Sequence, residues 1–379
     1  MKISWPEGRM LDRLGLLFLA ATMASIALFG VLRPVFNWDM IPYVALAEER
    51  SGMDDAARHD RAYQRVYAAA PAKDWALLTQ ANDYRAHQYA NPHMFNTQLG
   101  MYRIKVGYIA AARALNAFVP TISALRLINL FALIMLSAAM MWWMRIGRFA
   151  RAAFFLVPVL LIAKLPSAAQ IITPDLLCAS FAVAGLALLR RGPWPLASAC
   201  FAAATLARPD FILFPGAVLA VALLMRTGMK EAASCFAAAA AAYGLTMLVG
   251  DHPGWWPHFS VSLIERADDL RTVPPFSFGA YLRGFTRAML ANVTTQIWPA
   301  LVLLLAACWL SLQDRQGDRS RQADGLFFAL ILSLAARCVI FPMPDDRLYL
   351  PTVIMLALMV VERWGAQFSE AKNINPVPA

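Results

Sequence analysis

The sequence predicts an all-α polytopic membrane protein of about ten transmembrane helices. Three observations carry that prediction. Of 379 residues, 60% are hydrophobic and only 15% are charged, whereas a soluble domain carries roughly 25% charged residues. The mean hydropathy is +0.52. Lys and Arg gather in short clusters between the apolar runs, which accounts for the net charge of +10 as loops rather than as a nucleic-acid surface.

Each span follows from an apolar run of about 20 residues. The first, 12–33, follows a basic start. Its stretch from Leu14 to Leu32 exceeds a signal-peptide core and lacks a clean cleavage site, so it reads as a retained span. Residues 34–120 are polar, with helical stretches such as Asp54 to Ala70, ending at Pro71. Within them 104–118 is too short and too basic to span, and reads as a helix lying at the interface. Spans follow at 121–144, 149–165 and 174–190. Between 194 and 225 two shorter apolar pieces flank Arg208-Pro209-Asp210. One kinked helix would fit, but a hairpin of two short spans fits the flanking charges better. After 229–249, the segment 250–290 mixes Trp, Phe, Pro and charge, as a re-entrant or interfacial lid does. The spans 292–312, 325–342 and 346–362 complete the chain.

Alternating these spans puts Lys2, Arg9, Arg13, Arg145, Arg148, Arg151, Arg190, Arg191, Arg226, Lys230, Arg315, Arg319, Arg321, Arg363 and Lys372 on one side. The positive-inside bias then makes both termini cytoplasmic. The two long polar segments, with all five histidines, face outward. The five cysteines all lie in apolar runs without a CxxC, and read as small core hydrophobes. No HExxH or HxH spacing suggests zinc, and neither metal nor cofactor is expected.

Chemistry is therefore sought at the outer boundary. Asp39, just beyond the first span, is costly at membrane depth unless it is used. It reads as a general base or substrate anchor, and also as an N-cap for a helix from Met40. Thr173-Pro174-Asp175 has the pattern of a helix start, with Thr as cap and Asp175 facing an outer cavity. In "YRIKVGY", Tyr102, Lys105 and Tyr108 recur every third residue and would share one helix face, suiting a phosphate or a sugar ring. Arg208, Arg337 and Arg347 fall at one depth, where guanidinium forks suit phosphate, although Asp210, Asp345 and Asp346 offer pairing instead. Tyr349 stands beside Arg347, and His258 follows Trp255-Trp256-Pro257 as a substrate contact.

The order of these stretches resembles the GT-C superfamily, the integral-membrane glycosyltransferases that use polyprenyl-phosphate-linked sugars. The matching stretches are "NWDMIPY" with Asp39 and Tyr43, "MYRIKVGY", "SALRLINLF", "TPDLL", "LARPDFILFP" and "RLYLP". The resemblance implies one GT-C-like domain over 1–379 with helical outer loops at 34–120 and 250–290. It further implies a multi-pass protein of the bacterial inner membrane with its site facing outward. Asp39 matches the family's catalytic base; no second carboxylate adjoins it, as one often does in the family. The implied partners are a polyprenyl-phosphate sugar donor, a glycan, lipid or protein acceptor, and membrane lipid. A sugar phosphate leaves readily, so one base and several cations suffice, and displacement by one base inverts the anomeric centre. The alternative is a transporter or flippase of lipid-linked glycan intermediates; such proteins show internal repeats and mid-bilayer polar sites, whereas here polar residues gather at one boundary.

Overall fold

The computed structural model describes residues 8–312 and 318–374; Lys2 and Arg315, two of the basic residues behind the expected orientation, lie outside them. Every regular element among the described residues is a helix. The long α1 (Gly8–Leu32) leads into α2 (Met40–Glu48), α3 (Asp55–Ala69), α4 (Ala72–Gln80), α5 (Asp83–Ala90), α6 (Pro92–Arg103) and α7 (Val106–Asn116). Three of these start on side-chain caps. Asp54 accepts from the Ala57 amide at 2.7 Å and Asn82 from the Arg85 amide at 3.0 Å, while Asn91 accepts from His93 and Met94 ahead of α6. Two adjacent carboxylates then tie the layer together. Buried Glu48 receives Arg61, Arg65 and Thr121, and Glu49 receives Arg58, Arg103 and Arg113.

The bundle continues through α8 (Thr121–Gly147), α9 (Ala153–Ile162), the short α10 (Leu165–Gln170), α11 (Asp175–Arg191), α12 (Trp194–Ala207), α13 (Leu213–Met225) and α14 (Met229–Val249). Then come α15 (Trp255–Leu263), α16 (Phe278–Thr295), α17 (Trp298–Ser311), α18 (Asp318–Ile340) and α19 (Asp346–Ile374). Five stretches are long and apolar enough to cross a membrane: Met10–Leu32, Thr121–Gly147, Met229–Val249, Arg321–Ile340 and Asp346–Gly365. Large apolar side chains stand exposed on four of these helices, among them Leu17, Phe131, Leu248 and Phe328. Water tolerates no such continuous belt, but lipid does, and closed helices satisfy their own backbone there. This is a helical membrane protein.

Polar ties mark the two ends of the bundle. At one end Glu362 of α19 meets Arg190 and Arg191 of α11, and Arg363 lies 2.6 Å from Asp324 of α18. At the other, the Asp346 carboxylate accepts from the amides of Ile297 and Trp298 at 2.8 and 2.9 Å, capping α17. The stretch 194–225 runs from the first end to the second and back. Ser198 of α12 meets Ser234 of α14 at 3.1 Å near the first end, Arg208 reaches Asp175 at the second, and Met225 returns to lie against Gly325 of α18. Arg208 is the turning point. The span expected at 292–312 starts only at Trp298, because the chain bends by 72° between α16 and α17 and residues 292–295 belong to α16.

Helix α19 is the core of the bundle, buried from Val353 to Glu362. Helix α1 lies at the edge, pressed against its neighbour at two glycines. A Cβ at Gly15 would sit 2.4 Å from the Ala150 carbonyl oxygen, and one at Gly30 would sit 2.7 Å from that of Ala169. Neither position has room for a side chain.

Candidate functional site

Asp39 closes the turn after α1. The Met40 amide bonds the Asn37 carbonyl, and the Asn37 side chain accepts from the Ile172 amide at 3.3 Å. Asp39 is the N-cap residue of α2, yet its side chain caps nothing: its own φ and ψ are helical and no cap hydrogen bond forms. The N-cap reading of this carboxylate is therefore corrected. Oδ2 lies 2.6 Å from Nη2 of Arg347, and Oδ1 accepts from the Tyr102 hydroxyl at 3.1 Å. A carboxylate oxygen has two lone pairs, so each retains one for a further donor.

A cavity of about 620 Å³ opens on this carboxylate. It gathers Asp39, Tyr43, Tyr102, Lys105, Asp175, Arg208, His258, Arg337 and Arg347 from six separate parts of the chain, with apolar walls from Ile104, Leu213, Met247, Ile340 and Phe341. The three arginines converge, as their depth predicts. Each is also matched to a carboxylate. Arg208 binds Asp175 and, at 2.8 Å, Asp210; Arg337 binds Asp210; and Arg347 joins Asp39, Asp345 at 2.7 Å and Asp175 at 3.8 Å. Both anticipated pairings, Arg208 with Asp210 and Arg347 with Asp345, exist alongside the convergence. Asp175 and Arg208 are buried. Removing either would strand a charge away from water, so this network holds the cavity's shape first.

Lys105 differs. Among the described residues it is the cation of this cavity without a carboxylate partner. Nζ donates to the Met101 carbonyl and lies 5.4 Å from the Tyr102 ring centroid. Burial, and after it the like charge of Arg208, brings its pKa down to about 8. Its position corrects the reading of "YRIKVGY" as one helix face. The chain breaks between α6 and α7, with Tyr102 before the break, Lys105 in it and Tyr108 after it. Tyr102 and Lys105 reach the cavity. Tyr108 is wholly buried behind it, edge-on to Tyr43 at 5.0 Å. Tyr349 likewise lies behind the wall, stacked on Trp298 at 4.0 Å with Arg337 over its ring at 5.2 Å; it is a packing residue. At α11 the helix begins at Asp175 with Pro174, not Thr173, in the N-cap position.

His258 comes with a companion, His252. The Gly254 amide donates to Nδ1 of His252 at 3.1 Å, which puts the His252 proton on Nε2, facing Nδ1 of His258 at 3.2 Å. His258 must then carry its own proton on Nε2. Burial, followed by the charge of Lys105, pushes both imidazoles down, His252 to about 4 and His258 well below its ordinary value. Both are neutral at pH 7, and the pair acts as a fixed-tautomer donor.

A second chamber of about 560 Å³ adjoins the first and shares Asp39, Met101, Tyr102, Ser262, Met343 and Arg347 with it. Its other walls bring polar and aromatic groups, Trp38, Tyr84, Arg85, Lys164, Arg266, Gln296 and Asp346, beside the aliphatic Ala168, Ile171 and Val261. None of these was expected from sequence, except Asp346 as a pairing partner. Lys164 adopts a left-handed backbone (φ 60°), uncommon outside glycine, and reaches Asp346 at 2.6 Å. Asp39 and Arg347 thus stand in the wall common to both chambers. No protein-family model, curated protein or solved structure matches the chain.

Proposed function

We propose that the chain is an inverting glycosyltransferase of GT-C type, which moves a sugar from a polyprenyl-phosphate donor to a glycan, lipid or protein acceptor at the outer face of the bacterial inner membrane. The observation that carries the reading is the placement of Asp39 in the wall shared by two chambers. The first offers apolar walls for an isoprenoid and, in Lys105, a cation without a carboxylate partner for its phosphate; the second has a smaller apolar share and adds Arg85, Lys164 and Arg266. Ten passages of the bundle (α1, α8, α9, α11, α12, α13, α14, α17, α18 and α19) serve as the spans, with α2–α7 and α15–α16 as the outer layer.

In the reaction Asp39 takes the proton of an acceptor hydroxyl. The oxygen attacks the anomeric carbon from the face opposite the phosphate, and the carbon–oxygen bond to phosphate breaks with its electron pair leaving on the phosphate. Lys105 and the His258 Nε2–H receive that charge, and Arg347 can turn from Asp39 to the phosphate while Asp39 works. One displacement inverts the centre. A base of this kind contributes roughly 10²–10⁴-fold.

The test is turnover of synthetic polyprenyl-phosphate sugars by purified protein, read as polyprenyl phosphate released, with Asp39→Asn beside wild type. Asn keeps the shape, and Arg347 retains Asp345 and Asp175, so folding and donor binding should hold while the rate drops by about 10²–10⁴-fold. Near-normal turnover in Asp39→Asn would remove Asp39 from the mechanism. Binding without any turnover by wild type, across hexosyl and pentosyl donors, would favour a carrier of such lipids instead.

A further inference from the structure

The second chamber carries more positive charge than its own carboxylates answer. Its three acids are taken: Arg347 lies 2.6 Å from Asp39 and 2.7 Å from Asp345, and Lys164 lies 2.6 Å from Asp346. Arg85 and Arg266 remain, and among the described residues neither has a carboxylate partner. The Arg85 guanidinium keeps one hydrogen bond, from Nη1 to the Leu77 carbonyl at 2.5 Å. Each guanidinium instead lies over an aromatic face. The Arg85 carbon is 5.8 Å from the Trp38 ring, that of Arg266 is 5.6 Å from the Tyr84 ring, and the two rings pack at 5.8 Å.

Stacking orients these planar cations without neutralising them. Burial, followed by the like charge of Arg266, holds Arg85 below the ordinary arginine range. Two like charges kept on one wall repel, and an anion between them would remove that cost and gain forked hydrogen bonds. The aromatic pair beneath them offers a face for the ring that carries the anion.

We infer that Arg85 and Arg266 bind an anionic group, a phosphate or a carboxylate, borne by the molecule that enters the second chamber. If the transferase reading holds, that molecule is the acceptor, so the acceptor is an anionic glycan or glycolipid. The word acceptor rests on that reading; the anion site does not. Asp39 in the shared wall then meets a hydroxyl of the same molecule, and the charged group fixes which hydroxyl it meets.

The experiment is calorimetric titration of the full-length protein in phosphatidylcholine nanodiscs, without donor, using glucose 6-phosphate, glucuronate and glucose as probes. At least one anion should bind about tenfold or more tightly than glucose. With Lys105→Met in every sample, so that the first chamber's unpaired cation holds no probe, the preference should shrink with added salt and vanish on adding Arg85→Gln/Arg266→Gln. Arg266→Gln alone, at an exposed side chain, should already reduce it. Equal binding of all three probes, or a preference that survives the double variant, overturns the inference. Repeating the titration in phosphatidylglycerol nanodiscs identifies the source. Competition seen with both arginines present but absent from the double variant supports a lipid headgroup as the natural anion, and no competition supports a glycan anion. Loss of all transferase activity in the Asp39→Asn assay is a separate result and leaves this binding untouched.

Discussion

Titrating Lys105 should weaken donor binding between pH 7 and pH 9. With its pKa brought to about 8 by burial and Arg208, about nine in ten copies are charged at pH 7 and about one in ten at pH 9. A sugar phosphodiester keeps its single negative charge across that range, and His252 and His258 are neutral throughout it. The lysine is then the titrating contact. Donor Kd should rise about tenfold over the two pH units and level off once the charge-assisted contact is lost, roughly 1.5–3 kcal/mol in all. The assay is binding of a labelled polyprenyl-phosphate sugar to purified protein at fixed ionic strength. Lys105→Met should start weak and stay flat. Lys105→Arg should bind well past pH 9, because arginine keeps its charge. Stability moves the other way. The folded pKa lies below the unfolded value of 10.5, so the unfolded chain holds more protons between about pH 8 and pH 10.5, and folding strengthens across that window. The titration of Lys105 therefore does not itself favour unfolding at pH 9. A flat wild-type profile, or a fall that survives in Lys105→Met, would refute the placement of the donor phosphate.

Three further outcomes are expected. Arg208→Ala strands the buried Asp175 and should cost about 3–5 kcal/mol of stability, read as a lower thermal midpoint; Arg208→Lys should recover part of it, and an unchanged midpoint would deny the network its structural role. Gly30→Val forces a side chain against the Ala169 carbonyl and should cost about 1–3 kcal/mol, whereas wild-type stability would mean that α1 is not pressed there. In a cysteine-free background, Ser51→Cys should react with an impermeant maleimide from outside intact cells, and Thr227→Cys only after permeabilisation. The opposite pattern would invert the proposed orientation.

Apolar runs, charge clusters and proline positions made the helices legible, since a run of about 20 apolar residues has few other uses. Their ends were less legible. The break at Lys105 and the bend before Trp298 depend on what packs against them, which local periodicity does not encode. At the site, Asp39, Lys105, Arg208, Arg337 and Arg347 stood out because charge beside an apolar run is costly. Tyr108 stood out by its spacing and Tyr349 by standing beside Arg347, and both are buried packing: the helix breaks at Lys105 before Tyr108, and Tyr349 stacks on Trp298. Trp38, Tyr84, Arg85 and Arg266 were invisible: they meet across some 230 residues of chain. Asp210 was read as a partner for Arg208 alone, whereas it also joins Arg337.

Residues 345–348 draw the whole site together. Asp346 starts α17 and holds Lys164, Arg347 holds Asp39, and the Leu348 carbonyl faces Arg208. All three lie at the head of α19, which leaves the ribosome after everything it touches. The earlier helices must therefore wait in the bilayer with Lys164 and Asp39 lacking their charge partners and a helix start uncapped. Insertion of α19 acts as a closing keystone, and a chain truncated before it should be recognised by quality-control proteases however well its other helices have inserted.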